Sequence, residues 1–189
     1  MKLIIQSLLL TIVLTVLTGV VYPLVATGIA QVAFKEQANG SLLEKNGAVV
    51  GSEFLAQQFT GDKYFWPRPS AGSYATVPSG ASNKGPTSVD LQKAVNDRAA
   101  AFRTAHKLPA DATVPADMVY ASGSGLDPHI SPAAARIQVG RVAAARGVSE
   151  DSVKALVEKF VEPPQWGFLG EARVNVLRLN LALDASPAK

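Results

Sequence analysis

Residues 3–34 have the sequence LIIQSLLLTIVLTVLTGVVYPLVATGIAQVAF and contain no charged side chain. An uncharged apolar run of about eighteen residues or more predicts a transmembrane helix. At about 1.5 Å per residue, this run would extend about 48 Å as a helix, which exceeds the ~30 Å hydrocarbon layer of a bilayer. We therefore predict a transmembrane anchor at residues 1–34, followed by one folded domain at residues 35–189.

The charges beside the anchor favour one orientation. Lys2 lies at its amino-terminal end, whereas Lys35 and Glu36 cancel one another at the other end. Because positively charged flanks tend to stay in the cytoplasm, we expect a cytoplasmic amino terminus and an exported domain. The alternative is a secreted binding protein, released after signal-peptide cleavage near Ala26-Thr27-Gly28 or Gly28-Ile29-Ala30. The length of the run favours a retained anchor, since the apolar segments of signal peptides span about 7–15 residues.

Composition limits the chemistry available to the domain. The chain has no cysteine, which excludes disulfides, thiolate metal sites and a cysteine nucleophile. Its net charge is +3 and its 18 Lys and Arg residues are dispersed, whereas nucleic-acid binding normally requires a concentrated basic patch. His106 and His129 are far apart in the sequence and do not have metal-site spacing. We therefore expect no nucleic-acid partner and no resident metal, and no residue is assigned to a bound cofactor.

One face of the anchor has features of a helix-packing surface. Thr11, Thr15, Thr18 and Gly19 recur near helical spacing, and small or hydroxylic side chains let helices approach closely in lipid. A lone helix with incidental threonines would show the same spacing. The functional interpretation is that Thr15 and Gly19 contact a larger membrane partner. Pro23 removes a backbone hydrogen bond and predicts a kink.

Capping residues and hydrophobic periodicity predict an α+β domain. Ser131 followed by Pro132 matches the N-cap and first turn of a helix that ends at Gly147. The Val and Leu content of residues 173–183 indicates a buried strand, and capped helices on a strand-bearing core indicate the α+β class. The other predicted elements are a connector at residues 37–47, a strand at 48–50, a brief helix capped by Ser52, a helix capped by Ser88 or Asp90 and ending near 107, and a helix at about 150–160.

Two stretches interrupt this regular structure. Residues 61–86 and 121–132 are rich in Pro, Gly and Ser, which excludes a long helix or a central strand. Long loops in compact domains often form functional surfaces. We expect Tyr64, Phe65 and Trp66 to anchor the first loop to the core, although they would equally serve to present it to a partner.

The second loop contains the residue types of a serine hydrolase. Ser122 or Ser124 lies near Asp127 and His129, but a triad needs a specific placement that is usually assembled from distant segments. The run also lacks the Gly-X-Ser-X-Gly nucleophile elbow, and an aspartate followed by proline is typical of a turn. An exported, membrane-anchored serine hydrolase is therefore the alternative to a non-catalytic domain.

Longer motifs lie in the same segments and continue through the helices that follow. They are Tyr64-Phe65, Arg68-Pro69-Ser70-Ala71, residues 79–86, residues 122–132, Arg136, Gln138, Arg141-Val142-Ala143, Arg146-Gly147, Gly170-Glu171, residues 173–177 and Leu179-Asn180. Together these motifs resemble one protein family, the C subunit of the high-affinity potassium-transporting ATPase, or Kdp system. The similarity extends over essentially the whole chain, including the single N-terminal span. Ala81 and Lys84 depart from the commoner Gly and Leu of the family.

The resemblance implies a complex in the cell inner membrane that takes up potassium by hydrolysing ATP. Its other components would be a channel-like potassium subunit, a P-type ATPase subunit and a very small membrane subunit. The C subunit would be a non-catalytic accessory subunit that assists assembly and promotes ATP binding by the P-type subunit, so that ATP belongs to the complex as a whole.

We expect the loops at residues 61–86 and 121–132 to form one partner-facing surface outside the membrane. The planar fork of Arg68 is suited to partner carbonyls or carboxylates, whereas Asp127 serves either the partner or its own turn. The candidate partner-binding residues are Thr15 and Gly19 in the anchor, and Arg68, Ser70, Ser124, Asp127 and His129 in the loops.

Overall fold

The computed structural model describes residues 1–185, which form two compact units, Met1–Val50 and a second that begins at Gly51. The first unit is dominated by the apolar helix. By length and composition, Lys2–Ala33 is one candidate membrane span, with a mean hydropathy of 2.4. The helical elements of this unit are α1 (Lys2–Val16), a π-helical turn (Leu17–Val21), α2 (Tyr22–Ala33) and α3 (Lys35–Ala38).

The π-helical turn lies directly before Pro23. Proline has no N–H for the helical ladder, and its ring clashes with the carbonyl four residues earlier, here that of Gly19. The Tyr22 N–H bonds to the carbonyl of Leu17, so the helix widens locally, as π-bulges do where the regular ladder is interrupted. The lost hydrogen bond expected at Pro23 is thus accommodated by a π-turn within a continuous apolar helix, and the kink stays a prediction.

A β-hairpin follows the apolar helix. β1 (Leu42–Lys45) pairs with β2 (Ala48–Ser52). Asn46 and Gly47 connect them with φ values of 54° and 77°, and positive φ at both central residues is characteristic of a type I′ turn. The strand predicted at residues 48–50 is confirmed. β1 lies within the segment predicted to be a connector, where the Asn-Gly pair was the overlooked hairpin signal.

The second unit belongs to the predicted α+β class. Its elements are α4 (Val89–Ala105), α5 (Ala116–Val119), β3 (His129–Ile130), α6 (Pro132–Arg146), α7 (Glu150–Lys159), β4 (Val161–Glu162), β5 (Arg173–Asn175) and α8 (Val176–Ala185). A small antiparallel sheet has the order β3-β5-β4, with His129 opposite Asn175 and Val161 opposite Val174. The serines before α4, α6 and α7 cap these helices, since each hydroxyl accepts a backbone N–H. The cap of α6 is the predicted one, and the serine is the one of the two candidates that caps α4.

The core lies among α6, α7, α8 and the sheet. Val142, Val157, Val174 and Leu179 are fully buried there. Phe65 from the irregular first loop joins the same cluster and is also fully buried. The expected anchoring of the first loop to the core is therefore confirmed for Phe65.

Two predicted elements are wrong. Ser52 begins a turn rather than a helix, because its hydroxyl accepts the N–H of Phe54 only two residues later. The strand predicted at residues 173–183 ends at Asn175, where the chain enters α8. The Asn175 side chain accepts the N–H of Arg178 at 3.0 Å, which is N-cap geometry. This capping contact is why the apolar run continues as a helix.

Candidate functional site

The loops at residues 61–86 and 121–132, hereafter the loop pair, lie against one another. Arg68 Nη1 donates to Asp127 Oδ2 at 2.7 Å, and the Ser122 N–H donates to the Pro69 carbonyl at 3.0 Å. Gly125 has a φ of +72°, and a Cβ there would lie 3.0 Å from the carbonyl oxygen of Gly80. The fold thus brings together the two segments that were expected to share a surface. Their partner-facing role stays a prediction.

The two candidate serines each stabilise a turn within their own loop. Ser70 Oγ accepts the N–H of Tyr74 at 2.9 Å, and Ser124 Oγ accepts the N–H of Leu126 at 3.0 Å. The Tyr74 hydroxyl donates to the Arg68 carbonyl at 2.8 Å, and burial raises the pKa of that phenol although Arg98 opposes the rise. These bonds hold the base of the loop pair in one conformation.

Asp127 is a charged acceptor at the centre of the loop pair. The side chains of Arg68 and Asp127 are only 26% and 29% exposed. Burial alone would raise the pKa of Asp127, but the His129 side chain and backbone N–H, together with the Arg68 guanidinium, outweigh it and lower the pKa to about 2. The backbone nitrogen of His129 lies 3.0 Å from Asp127 Oδ1, within hydrogen-bond distance. The imidazole Nδ1 of His129 lies 3.7 Å from the same oxygen, which is too long for a hydrogen bond. Arg68 and Asp127 therefore largely neutralise each other.

The loop pair does not form a hydrolase triad. Within residues 1–185, neither Ser122 nor Ser124 hydrogen-bonds His129, and Asp127 is bonded to Arg68. Ser122 is also almost completely buried. A nucleophile needs a base within hydrogen-bond reach, so the hydrolase alternative has no geometric support. In the same described region, no group of three or more His, Asp or Glu side chains is placed to hold a metal ion.

Two buried side-chain amides fix the start of the first loop. Asn180 on α8 accepts the Phe65 N–H at 2.8 Å and donates to the Phe65 carbonyl at 3.0 Å. Gln138 on α6 accepts the Trp66 N–H at 2.7 Å and donates to the Trp66 carbonyl at 3.2 Å. Each amide thus accepts the N–H and donates to the carbonyl of one loop residue, as the backbone of a neighbouring strand would do. In the sequence, Gln138 and Asn180 stand out only among the residues that carry the family resemblance, and their role in holding the loop was missed; a polar residue within an apolar segment was the available signal.

A buried arginine completes this attachment. The Arg141 side chain is 5% exposed and donates to the carbonyls of Asp62 and Tyr64 at 2.6 and 2.9 Å. Its guanidinium lies 3.9 Å from the centroid of the Trp66 ring, and Nε donates to His106 Nε2 at 3.1 Å. Burial lowers the pKa of Arg141 to about 10, with Asp62 opposing the fall, so the side chain stays charged at neutral pH. The first loop is thus held to α6 by charge-assisted bonds.

The two anchor candidates lie on an open helix surface. Thr15 is in the last turn of α1 and Gly19 is in the π-turn. Among the described residues 1–185, a Cβ added at Gly19 would meet no atom within 4 Å other than those of its chain neighbours and its own helix backbone. The hydroxyls of Thr11 and Thr18 donate to carbonyls four residues earlier, which is ordinary for threonine in a helix. The partner-binding role of Thr15 and Gly19 stays a prediction.

The depressed pKa of Asp127 predicts how stability depends on pH. A carboxylate with a lowered native pKa stabilises the fold above its unfolded pKa of about 3.9 and loses that contribution as the pH falls through the native value. We expect Asp127→Asn to lower the free energy of unfolding at pH 7 by about 1–2 kcal/mol. The deficit relative to wild type should shrink between pH 4 and pH 2. Urea titrations of both proteins at several pH values measure it, and a deficit independent of pH would contradict the assignment.

Comparison with known proteins connects this architecture to one family. Residues 4–185 match the family model described as "KdpC: K+-transporting ATPase, c chain". The chain is 58% identical over 181 residues to the potassium-transporting ATPase KdpC subunit of Rhodospirillum rubrum, over 94% of this chain and 93% of the relative. It is 52% identical over 180 residues to the KdpC subunit of Mycobacterium bovis strain BCG, and the match covers 94% of this chain and 95% of the relative. It is 52% identical over 183 residues to that of Methylococcus capsulatus, over 95% of each. These matches confirm the resemblance seen in the sequence, and the chain belongs to the KdpC family, the c chains of K+-transporting ATPases.

Proposed function

We propose that the chain is a non-catalytic accessory subunit of an ATP-driven, high-affinity potassium uptake pump, and that the loop pair is its main contact surface. Family membership makes it a component of a K+-transporting ATPase. The observation that supports the contact surface is the 2.7 Å bond between Arg68 and Asp127, which joins two irregular loops. A surface that is already ordered loses little conformational freedom on binding.

The pairing of Arg68 with Asp127 assigns different roles to parts of the loop pair. The two charges brace the loops internally, and Ser70, Ser124 and His129 order the base around them. Residues 81–87 are exposed, so the first loop offers the outermost side chains to a partner. We propose the channel-like potassium subunit as that partner, with the P-type ATPase subunit and the very small subunit in the same complex.

The proposed orientation places the domain away from ATP. Lys2 favours a cytoplasmic amino terminus, so the retained helix would cross the inner membrane once and the domain would lie outside the cytoplasm. The P-type subunit would bind ATP on the opposite side. Promotion of ATP binding by this chain would then be a coupling free energy passed through the membrane subunits, without contact between ATP and the domain.

Topology can be measured because the chain has no native cysteine. We expect a membrane-impermeant maleimide to label Ser82→Cys in intact spheroplasts, since Ser82 is exposed in the first loop. A cysteine inserted between Met1 and Lys2 should be labelled only after lysis. The opposite labelling pattern would contradict the orientation. Intact mass of the membrane-purified chain checks that residues 1–30 are retained, and co-purification in mild detergent identifies the partners.

A further inference from the structure

An exposed aromatic hairpin tip connects β4 to β5 and has no role in the proposed contact surface. The tip, residues 163–170, contains no charged side chain. Trp166 and Phe168 are 85% and 73% exposed, and Leu169 is exposed beside them. Single exposed apolar residues are ordinary, but three within four positions form a local apolar patch of the kind that marks an interaction site.

Hydrogen bonds within the tip pair most of its backbone N–H groups. The Gln165 and Leu169 N–H groups each donate to the other residue's carbonyl at 2.9 Å, and the Gly167 and Phe168 N–H groups donate to the carbonyls of Pro164 and Gln165 at 3.0 and 3.2 Å. Trp166 and Gly167 have φ values of 52° and 82°, and a positive φ is rare for a bulky residue such as tryptophan. Several carbonyls of the tip have no partner among residues 163–170, all of which the structure describes, so the tip suits the hydrated interface of a membrane rather than its hydrocarbon core.

The tip and the second loop leave the sheet at opposite ends. The tip joins β4 to β5 at the pair formed by Glu162 and Arg173. The second loop enters β3 at His129, which pairs with Asn175 at the other end of β5. The tip therefore leaves β5 at the end opposite to the one where the second loop enters the sheet.

We propose that the tip inserts into the interfacial region of the lipid bilayer that holds the anchor. Tryptophan is enriched at membrane–water interfaces, and an uncharged apolar tip with most of its N–H groups paired matches that environment. Residues 35–50 join the candidate span to the second unit, so the tip belongs to a domain that the anchor tethers to a bilayer. The inference rests on the retained anchor and is independent of what the loop pair binds.

Tryptophan quenching by brominated lipid tests this directly. The chain has two tryptophans, Trp66 beneath Arg141 and Trp166 at the tip. The full chain is reconstituted into phosphatidylcholine vesicles with and without bromine on the acyl chains near the headgroup. We expect emission to fall in the brominated vesicles for wild type and for Trp66→Phe, but not for Trp166→Phe. Trp166→Phe removes the reporter from an exposed position, so it should leave the fold intact.

Equal quenching of wild type and Trp166→Phe, or no quenching of Trp66→Phe in a chain that retains the anchor by mass, would overturn the proposal. Acrylamide quenching in the assembled pump distinguishes lipid from the alternative, which is that the tip contacts another protein subunit. If Trp166 becomes shielded from acrylamide only on assembly, and brominated lipid has no effect, the tip contacts protein and the lipid assignment is wrong. A cleaved anchor, detected by mass, would remove the premise and also overturn the proposal.

Discussion

Replacing Asn180 by leucine is expected to lower the free energy of unfolding of the domain by about 3 kcal/mol or more, since each buried polar group left without a partner costs about 1–3 kcal/mol. The substitution removes the acceptor of the Phe65 N–H and the donor to the Phe65 carbonyl at once. Leucine is larger than asparagine, so no cavity opens; the loss comes from two orphaned backbone groups, and crowding by the larger side chain adds to it.

The matched control for this prediction is Asn96→Leu, an exposed position on α4 whose amide only accepts from Gln92. Its effect should stay within about 0.5 kcal/mol. Urea unfolding of the full chain in detergent, followed by tryptophan fluorescence, compares the two variants. Equal stability of Asn180→Leu and the control would show that the buried amide does not hold the first loop. Because Phe65 attaches that loop to the core, the loop pair should also become more accessible to protease in Asn180→Leu.

Replacing Gly19 by leucine is expected to reduce co-purification with the membrane partners about tenfold, which corresponds to ~1.4 kcal/mol of binding free energy. In the part of the chain that the structure describes, no atom beyond the local helix backbone lies within 4 Å of a Cβ placed at Gly19, so a leucine fits the isolated helix. Leucine is also more apolar, so membrane insertion is preserved. A loss of association must then come from blocked close approach of a partner helix.

Val20→Leu is the control for Gly19→Leu, because it enlarges a neighbouring side chain in the same π-turn. Thr15→Leu tests the second candidate on the helix. Each variant is tagged, extracted in mild detergent and assayed for partner subunits at equal membrane content. Unchanged co-purification after both Gly19→Leu and Thr15→Leu would place the interface on another face.

The sequence predicts the elements whose boundaries depend on local chemistry. Ser131, Pro132 and Gly147 bound α6 as expected, because capping and a left-handed terminal glycine act over only a few residues. Residues 173–183 show the limit of that reasoning. A short Val- and Leu-rich run suits a buried strand or a buried helix equally, and only the Asn175 cap distinguishes them.

The sequence shows the two irregular segments of the candidate site, but it does not show which of their residues contact one another or the core. Arg68 and Asp127 are 59 residues apart in the sequence, and Phe65 and Asn180 are 115 apart. No local pattern encodes such pairings, since they exist only once the core has formed. Arg68 was therefore expected to offer its fork to a partner, whereas in the structure it binds Asp127 and braces the two loops.

The tip at residues 163–170 was not singled out from the sequence for a related reason. A Pro- and Gly-containing turn with two aromatic residues is equally compatible with burial against the core. Only the folded chain shows that Trp166 and Phe168 remain in solvent. Exposure is a property of the tertiary structure, whereas residue type is all that the sequence supplies.

The proposal that the loop pair contacts the pump is tested most directly by replacing residues 81–85 with a Gly-Ser segment in the assembled complex. These five residues are exposed, so the replacement removes contact side chains without opening the core. Arg68→Ala is the companion variant, and Arg68→Ala with Asp127→Ala controls for the stranded carboxylate. We predict that the Gly-Ser segment lowers both complex yield and potassium-stimulated ATP hydrolysis while the chain still folds and inserts. Wild-type yield and wild-type hydrolysis would contradict the proposal that the loop pair is the contact surface.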